Sequence, residues 1–260
     1  MRFSYLFFSL FLAMACQNQP ASKTETTTTQ NMKTTNPLVE KLGAKQILVV
    51  KTTDFDVIQG RLQAYEWAES GQWQPLTDAI DVVVGGKGLA WGAGLQDVSF
   101  NQAPFKKEGD KKSPAGIFYL SSLFGYAPQS EVGALKMPYV QADANLFCVD
   151  DAQSQYYNQI VSTTKVKKDW KSAENMLMDR NLYKYGVVVD YNFPNPEAGR
   201  GSCIFVHIWQ DNQHGTAGCT AMPEDKMKNL IHLLDKTKRP VLVQCTEGGY
   251  EGLKKTYGLP

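Results

Sequence analysis

The chain has 260 residues, 43% of them hydrophobic and 20% charged, with a formal net charge of +1. That apolar fraction suffices for one packed domain with attachments, and the near-neutral balance gives no electrostatic basis for a nucleic-acid partner. The one long apolar run is N-terminal, so no internal transmembrane helix is expected.

That run, Phe3 to Ala15 behind a lone Arg2, is too short to span a bilayer comfortably and has the form of a secretory signal peptide. It ends in Leu12-Ala13-Met14-Ala15-Cys16, small residues ahead of a cysteine as in the lipobox of bacterial lipoproteins, with Ala13 where a leucine is usual. An ordinary cleaved signal is the alternative. The polar segment after Cys16 favours lipid attachment at that cysteine. From Gln17 to Asn36 the chain is Thr-rich, without an aromatic residue, and cannot bury enough apolar surface to offset its ordering entropy. It reads as a tether, reaching roughly 25 Å on average.

Strands are expected at Ile47–Lys51, Gln63–Ala68, Asp81–Val84, Gly116–Leu120, Phe147–Val149, Gly186–Asn192, Cys203–Trp209 and Val241–Gln244, where apolar, β-branched runs are bounded by turn residues. Ser172–Tyr183 carries a weaker helical pattern. A clear helix is expected from Pro223 to about Lys236. Pro223 suits its first position, Glu224 and Asp225 its first turn, and Met227, Leu230, Ile231 and Leu234 give one apolar stripe. The fold class is therefore mainly β with a few helices.

The chemistry is concentrated between His207 and Cys219. Alternation in Cys203-Ile-Phe-Val-His-Ile-Trp209 puts Cys203, Phe205, His207 and Trp209 on one strand face. The polar loop that follows, with Gly215 and Gly218, is long enough to bring the Cys219 thiol back beside the His207 imidazole, a base for a cysteine nucleophile. Gly218 allows close approach of a substrate carbonyl, and the backbone N–H groups of Gly218, Cys219 and Thr220 are candidates for an oxyanion hole. A zinc site built from Cys203, His207, His214 and Cys219 is the rival reading, weakened by the lack of a close ligand pair. Of the remaining cysteines, Cys148, Cys203 and Cys245 allow one structural bridge, and the sequence does not choose the pair.

His207 followed by Thr216-Ala217-Gly218-Cys219, with Ser113-Pro114-Ala115-Gly116-Ile117-Phe118 upstream and Gly85-Gly86-Lys87-Gly88 after a Val-rich strand, resembles the L,D-transpeptidase (YkuD-type) catalytic domain over about Gln46 to Cys245. The resemblance implies a β-sandwich or mixed-sheet catalytic domain, Cys219 as nucleophile, His207 as base, and Thr216 as the motif hydroxyl. Ala217 stands where the family often has His, and Ala221 where it often has Arg or Asn. Arg200 is then a candidate substitute cation, and His214 a candidate substrate contact. The division that follows is a signal peptide at 1–15, a lipid-anchored linker at 16–43, the catalytic domain at 44–247 and a tail at 248–260.

The implied function is acyl transfer on peptidoglycan stem peptides through a Cys219 thioester, forming cross-links in the bacterial envelope. It needs no metal or organic cofactor. The alternatives are a hydrolytic variant, L,D-carboxypeptidase or amide hydrolase, and a non-catalytic wall-binding lipoprotein.

Overall fold

A computed structural model of the chain describes residues 1–4, 6, 35–97, 100, 103–178 and 180–260. Most of the signal segment, the lipobox, Cys16 and most of the Thr-rich linker lie outside the described residues. In chain order the elements are α1 (Pro37–Leu42), β1 (Gln46–Thr52), β2 (Gln59–Trp67), β3 (Trp73–Pro75), β4 (Ile80–Val83), β5 (Leu89–Trp91) and β6 (Ser113–Gly125). Then come α2 (Gln129–Val132), β7 (Tyr139–Gln141), β8 (Leu146–Cys148), β9 (Ile160–Ser162), β10 (Glu174–Asn175), β11 (Gly186–Val189) and β12 (Phe205–Ile208). The chain ends with β13 (Thr220–Met222), α3 (Glu224–Leu233), β14 (Val241–Thr246) and α4 (Glu247–Tyr257).

The main sheet runs β1-β14-β6-β11-β12-β13-β4-β2-β3, and β1 also pairs with β2. That extra pairing joins the first strand of the path to the last but one, so the strands from β1 to β2 close into a barrel with β3 appended outside β2. The mixed sheet expected from the sequence is present, with β1–β14 and β12–β13 parallel among antiparallel neighbours. The sandwich is not: closure of one sheet on itself satisfies the edge hydrogen bonds that two stacked sheets would leave open.

Alternation along β6, β11 and β12 feeds two cores. Leu123, Val187, Val189, Ile204, Val206 and Ile208 join the large core, while Phe124, Val188 and Phe205 turn to a smaller one. The smaller core is completed by Leu146, Cys148 and Met176 from a three-stranded sheet ordered β10-β8-β9. This small sheet forms a flap over one face of the barrel, and a Cys148–Cys203 disulfide ties it to the segment entering β12.

The helix expected after Pro223 is α3, with Met227, Leu230 and Ile231 buried as its stripe requires. The helix expected at 172–183 is not formed. Glu174–Asn175 instead pairs antiparallel with β8, Glu174 opposite Cys148. Asn175 caps the following turn through its side chain, and Arg180 and Asn181 adopt left-handed φ of 62° each, which no α-helix accommodates.

The residues after 247, read from sequence as a tail, form α4. Thr246 caps it by accepting from Gly249 N–H, and Tyr250, Leu253 and Tyr257 are buried. The Gly258 carbonyl beyond it accepts from Asn36 Nδ2 at 2.7 Å and from Trp73 Nε1 at 2.8 Å, which pins the last helix to the first. Because Leu253 is fully buried, Leu253→Ala is expected to cost about 2–5 kcal/mol of unfolding free energy. Urea denaturation of the variant checks this, and a loss below about 1 kcal/mol contradicts a docked helix.

Candidate active site

The site is built by two adjacent parallel strands. In the β12–β13 register Val206 lies opposite Thr220 and His207 opposite Ala221. Directly opposed residues share a sheet face, so the position before β13, Cys219, falls on the His207 face two residues along. Such diagonal neighbours lie roughly 7–8 Å apart at Cα, within reach of an imidazole. His207 and Cys219 both line a cavity of about 180 Å³, together with Glu174, Tyr183, His214 and Thr216.

The return loop is docked backbone to backbone on the Gly85–Gly86 turn. Thr216 N–H donates to Val84 O at 2.9 Å, and Gly86 N–H donates to Thr216 O at 2.8 Å. A Cβ on Gly215 would come within 2.5 Å of Gly86 Cα, so a side chain there would push the loops apart. Thr216 Oγ1 donates to the Cys219 carbonyl at 2.6 Å and accepts from Gly218 N–H at 3.0 Å. Ser113 Oγ, from the upstream Ser-Pro motif, donates to the same carbonyl at 2.7 Å and accepts from Gly85 N–H at 2.8 Å. Two hydroxyls thus converge on one carbonyl and fix the peptide plane that carries the sulfur. Local reading of the sequence misses this role of Ser113, because the bond spans 106 positions.

His207 is 6% exposed. Its Nδ1 lies 2.7 Å from the Ile208 carbonyl, an atom that only accepts, so Nδ1 carries the proton and Nε2 offers a lone pair. Tyr183 meets the imidazole edge-on at 5.1 Å between centroids. Burial holds the imidazole down to about 4, with the Ile208 bond pulling the other way. Cys219 is also 6% exposed. Its sulfur accepts from Phe205 N–H at 3.3 Å and lies 3.6 Å from the Cys203 carbonyl. Burial first, and then the Glu174 charge, push its thiol far above the ordinary range, against smaller lowering by Phe205 N–H, Lys106 and Tyr183. At rest the pair is a neutral thiol beside a neutral imidazole.

The other candidates divide. His214 lines the cavity mouth, its side chain 65% exposed and its Nδ1 2.8 Å from the Asp211 carboxylate. Arg200 is ion-paired with Glu197 at 2.7 Å and is not among the residues lining the cavity. The Gly218 N–H is engaged by Thr216 and is not free for an oxyanion. In a parallel strand a residue's N–H and C=O point the same way, and Met222 O accepts from Trp209 N–H. Thr220, two residues earlier, therefore turns its N–H into the same ladder, and its hydroxyl donates to Gln244 Oε1 at 2.6 Å. Neither of the two N–H groups flanking Cys219 is an available donor, which leaves the Cys219 N–H itself. The zinc set is broken because Cys203 is disulfide-bonded to Cys148; among the described residues no cluster of three metal-ligating side chains occurs. Cys245 is buried in β14 and its thiol is pushed up to about 12.

The imidazole's burial sets a pH signature. Its folded value lies below the ordinary 6.5, so as pH falls from 6.5 toward 4 the unfolded chain binds the proton first. The residue's share of stability, present above 6.5, is lost across that window. The His207 ring resonances are expected to keep neutral-imidazole shifts from pH 8 to about 5 in an NMR titration; a midpoint near 6.5 contradicts this environment.

A family model, YkuD, the L,D-transpeptidase catalytic domain, matches residues 46–243. No curated protein and no solved structure matches the chain. The family match runs from the start of β1 into β14, takes in both site strands and the Ser-Pro segment that braces them, and covers most of the chain. The barrel with its half-enclosed cysteine and histidine is thus of a known kind: the chain belongs to the YkuD family of L,D-transpeptidase catalytic domains, whose activity is L,D-transpeptidase-type chemistry on peptidoglycan.

Proposed function

We propose that Cys219 is the nucleophile and His207 the base of an L,D-transpeptidase that cross-links peptidoglycan stem peptides. The observation that carries the reading is the shared face and shared cavity of these two side chains, with His207 Nδ1 already committed to a carbonyl and Nε2 open. A stem peptide enters with the carbonyl of its third residue, the diamino acid, against the sulfur. His207 Nε2 takes the thiol proton, and the thiolate attacks the carbonyl carbon. The oxyanion accepts from the Cys219 N–H. As the tetrahedral intermediate collapses, the C–N bond to the terminal D-alanine breaks and the imidazolium returns its proton to the leaving amine.

The resulting thioester is then attacked by an amine of a neighbouring stem. That amine gives up its proton through His207, and the thiol is restored. Burial explains why both groups wait in neutral form: separating charge between two buried groups is costly until substrate supplies a place for the negative charge. The two hydroxyl bonds to the Cys219 carbonyl hold the Cα that carries the sulfur in one place throughout.

Proteins of this family act on the cell wall, which supports an envelope location for this chain. No helix among the described residues is long and apolar enough to cross a membrane. We assign attachment to a lipid on Cys16, with the Thr-rich segment as tether, on the lipobox-like sequence alone.

Incubation of the protein with defined tetrapeptide muropeptides, with products read by mass, is the test. Cys219→Ala is expected to abolish both the thioester and the cross-linked product. His207→Ala is expected to lower turnover by about 10²–10⁴-fold. A fully active Cys219→Ala protein ends this reading.

A further inference from the structure

The cavity holds an acid that the mechanism above does not use. Glu174 enters it from β10 on the flap, and the Tyr183 hydroxyl donates to Glu174 Oε1. The same side chain lines the cavity with Cys219, close enough to act on its sulfur. Tyr183 has one proton to donate and two acceptors within reach. Its place is fixed by packing: it is 1% exposed, with its ring edge-on to Phe124, Phe205 and His207. Glu174 is fixed by pairing opposite Cys148, whose disulfide partner Cys203 supplies a carbonyl 3.6 Å from the sulfur.

We propose that Glu174 is a positioning residue which, through Tyr183, sets how readily the Cys219 sulfur carries negative charge. This rests on Cys219 being the nucleophile. With Glu174 ionised, the Tyr183 O–H is committed to the carboxylate, and a second anion faces the sulfur. When Glu174 takes a proton from solvent, its own O–H donates to the Tyr183 oxygen. The Tyr183 O–H is then free to turn to the sulfur and donate to the thiolate. One proton is gained by Glu174, the Tyr183 proton only changes acceptor, and the sulfur's own proton still goes to His207 Nε2.

The surroundings suit such a switch. Burial, with Asp150 adding to it and the Tyr183 bond opposing, holds Glu174 up to about 7, in the range where a small change in pH changes its state. The Asp150 Oδ1 atom is buried without a hydrogen-bond partner among the described residues. His207 and His214 line the same cavity, and the buried Lys106, bound to Asp110 at 2.7 Å, acts on the sulfur from further off.

The rate of Cys219 alkylation by iodoacetamide, followed by mass over pH 5–10, tests the proposal without peptidoglycan. A failure here is therefore distinct from a failure of the transpeptidase reading. Cys245 alkylation is scored separately by peptide mapping. In the wild type, the logarithm of the rate is expected to rise with pH, flatten near pH 7 as Glu174 ionises, and rise again. Glu174→Gln is expected to remove the flattening and to react at least about tenfold faster than the wild type above pH 8, since a hydrogen bond to a charged group is worth about 1.5–3 kcal/mol. In a Tyr183→Phe background, adding Glu174→Gln is expected to change the rate much less. Flattening that persists in Glu174→Gln, or two substitutions whose effects simply add, overturns the proposal. Should either variant fail to fold, the ¹³C carboxyl resonance of Glu174 in the wild type decides: a midpoint near 7 that moves when Cys219 is alkylated supports it, and a midpoint near the ordinary 4.5 refutes it.

Discussion

Everything at the site depends on β12 and β13 running parallel. An antiparallel return would need only a tight turn and would place the residue after the turn opposite the end of β12. The parallel return demands a crossover, and the segment from Trp209 to Gly218 supplies it without a helix. Its cost is a run of backbone polar groups outside any strand, and these are met from the Gly85–Gly86 turn and from Asp211, whose carboxylate accepts from the N–H groups of Gln213 and His214. The reward is register. His207 and Cys219 leave different ends of the loop and still arrive on one face.

The position of Cys219 is over-determined, and from far along the chain. The Cys219 carbonyl is held by a hydroxyl three residues before it and by another 106 residues before it. Thr220 next to it is tied to Gln244, which donates in turn to Pro114 O at 2.9 Å. The Ser-Pro motif and the Gly-Cys motif are therefore one structural unit read in two places. This is why two separated motifs identify the family better than either alone. Neither hydroxyl needs to touch a substrate to matter, because a carbonyl that shifts would move the Cys219 Cα and with it the sulfur.

Much of this was legible in the sequence because the relevant physics is local. Alternation in Cys203–Trp209 marks the strand, and the stripe Met227, Leu230, Ile231, Leu234 marks α3. What was illegible is set by distance. Barrel closure depends on β1 pairing with both β14 and β2, and no window of residues contains that fact. The Ser172–Tyr183 segment has helical spacing, but its pairing with β8 and the disulfide beyond it override that preference. Trp73 and Asn36 reach the far end of α4, so a stretch that reads as a tail is part of the fold. Glu174 and Tyr183 carry no local sign of proximity to a cysteine 36 or more residues away.

The departures from the family pattern at Ala217 and Ala221 take on a physical meaning once the cavity is drawn. Ala221 is fully buried, sits directly opposite His207 on the neighbouring strand, and is bridged to Val83 on its other side. A long cationic side chain at that position would project from the His207 face into the same space. With alanine there, and with Arg200 held by Glu197, the charged group that acts most on the sulfur is an acid, Glu174. A carboxylate beside a thiol opposes its ionisation, which is the reverse of what a nucleophile needs at rest. Burial and this acid together hold the sulfur as a thiol. In the proposed mechanism, reactivity then has to come from His207 on β12 and from the substrate, and the site that the strands assemble is one that waits.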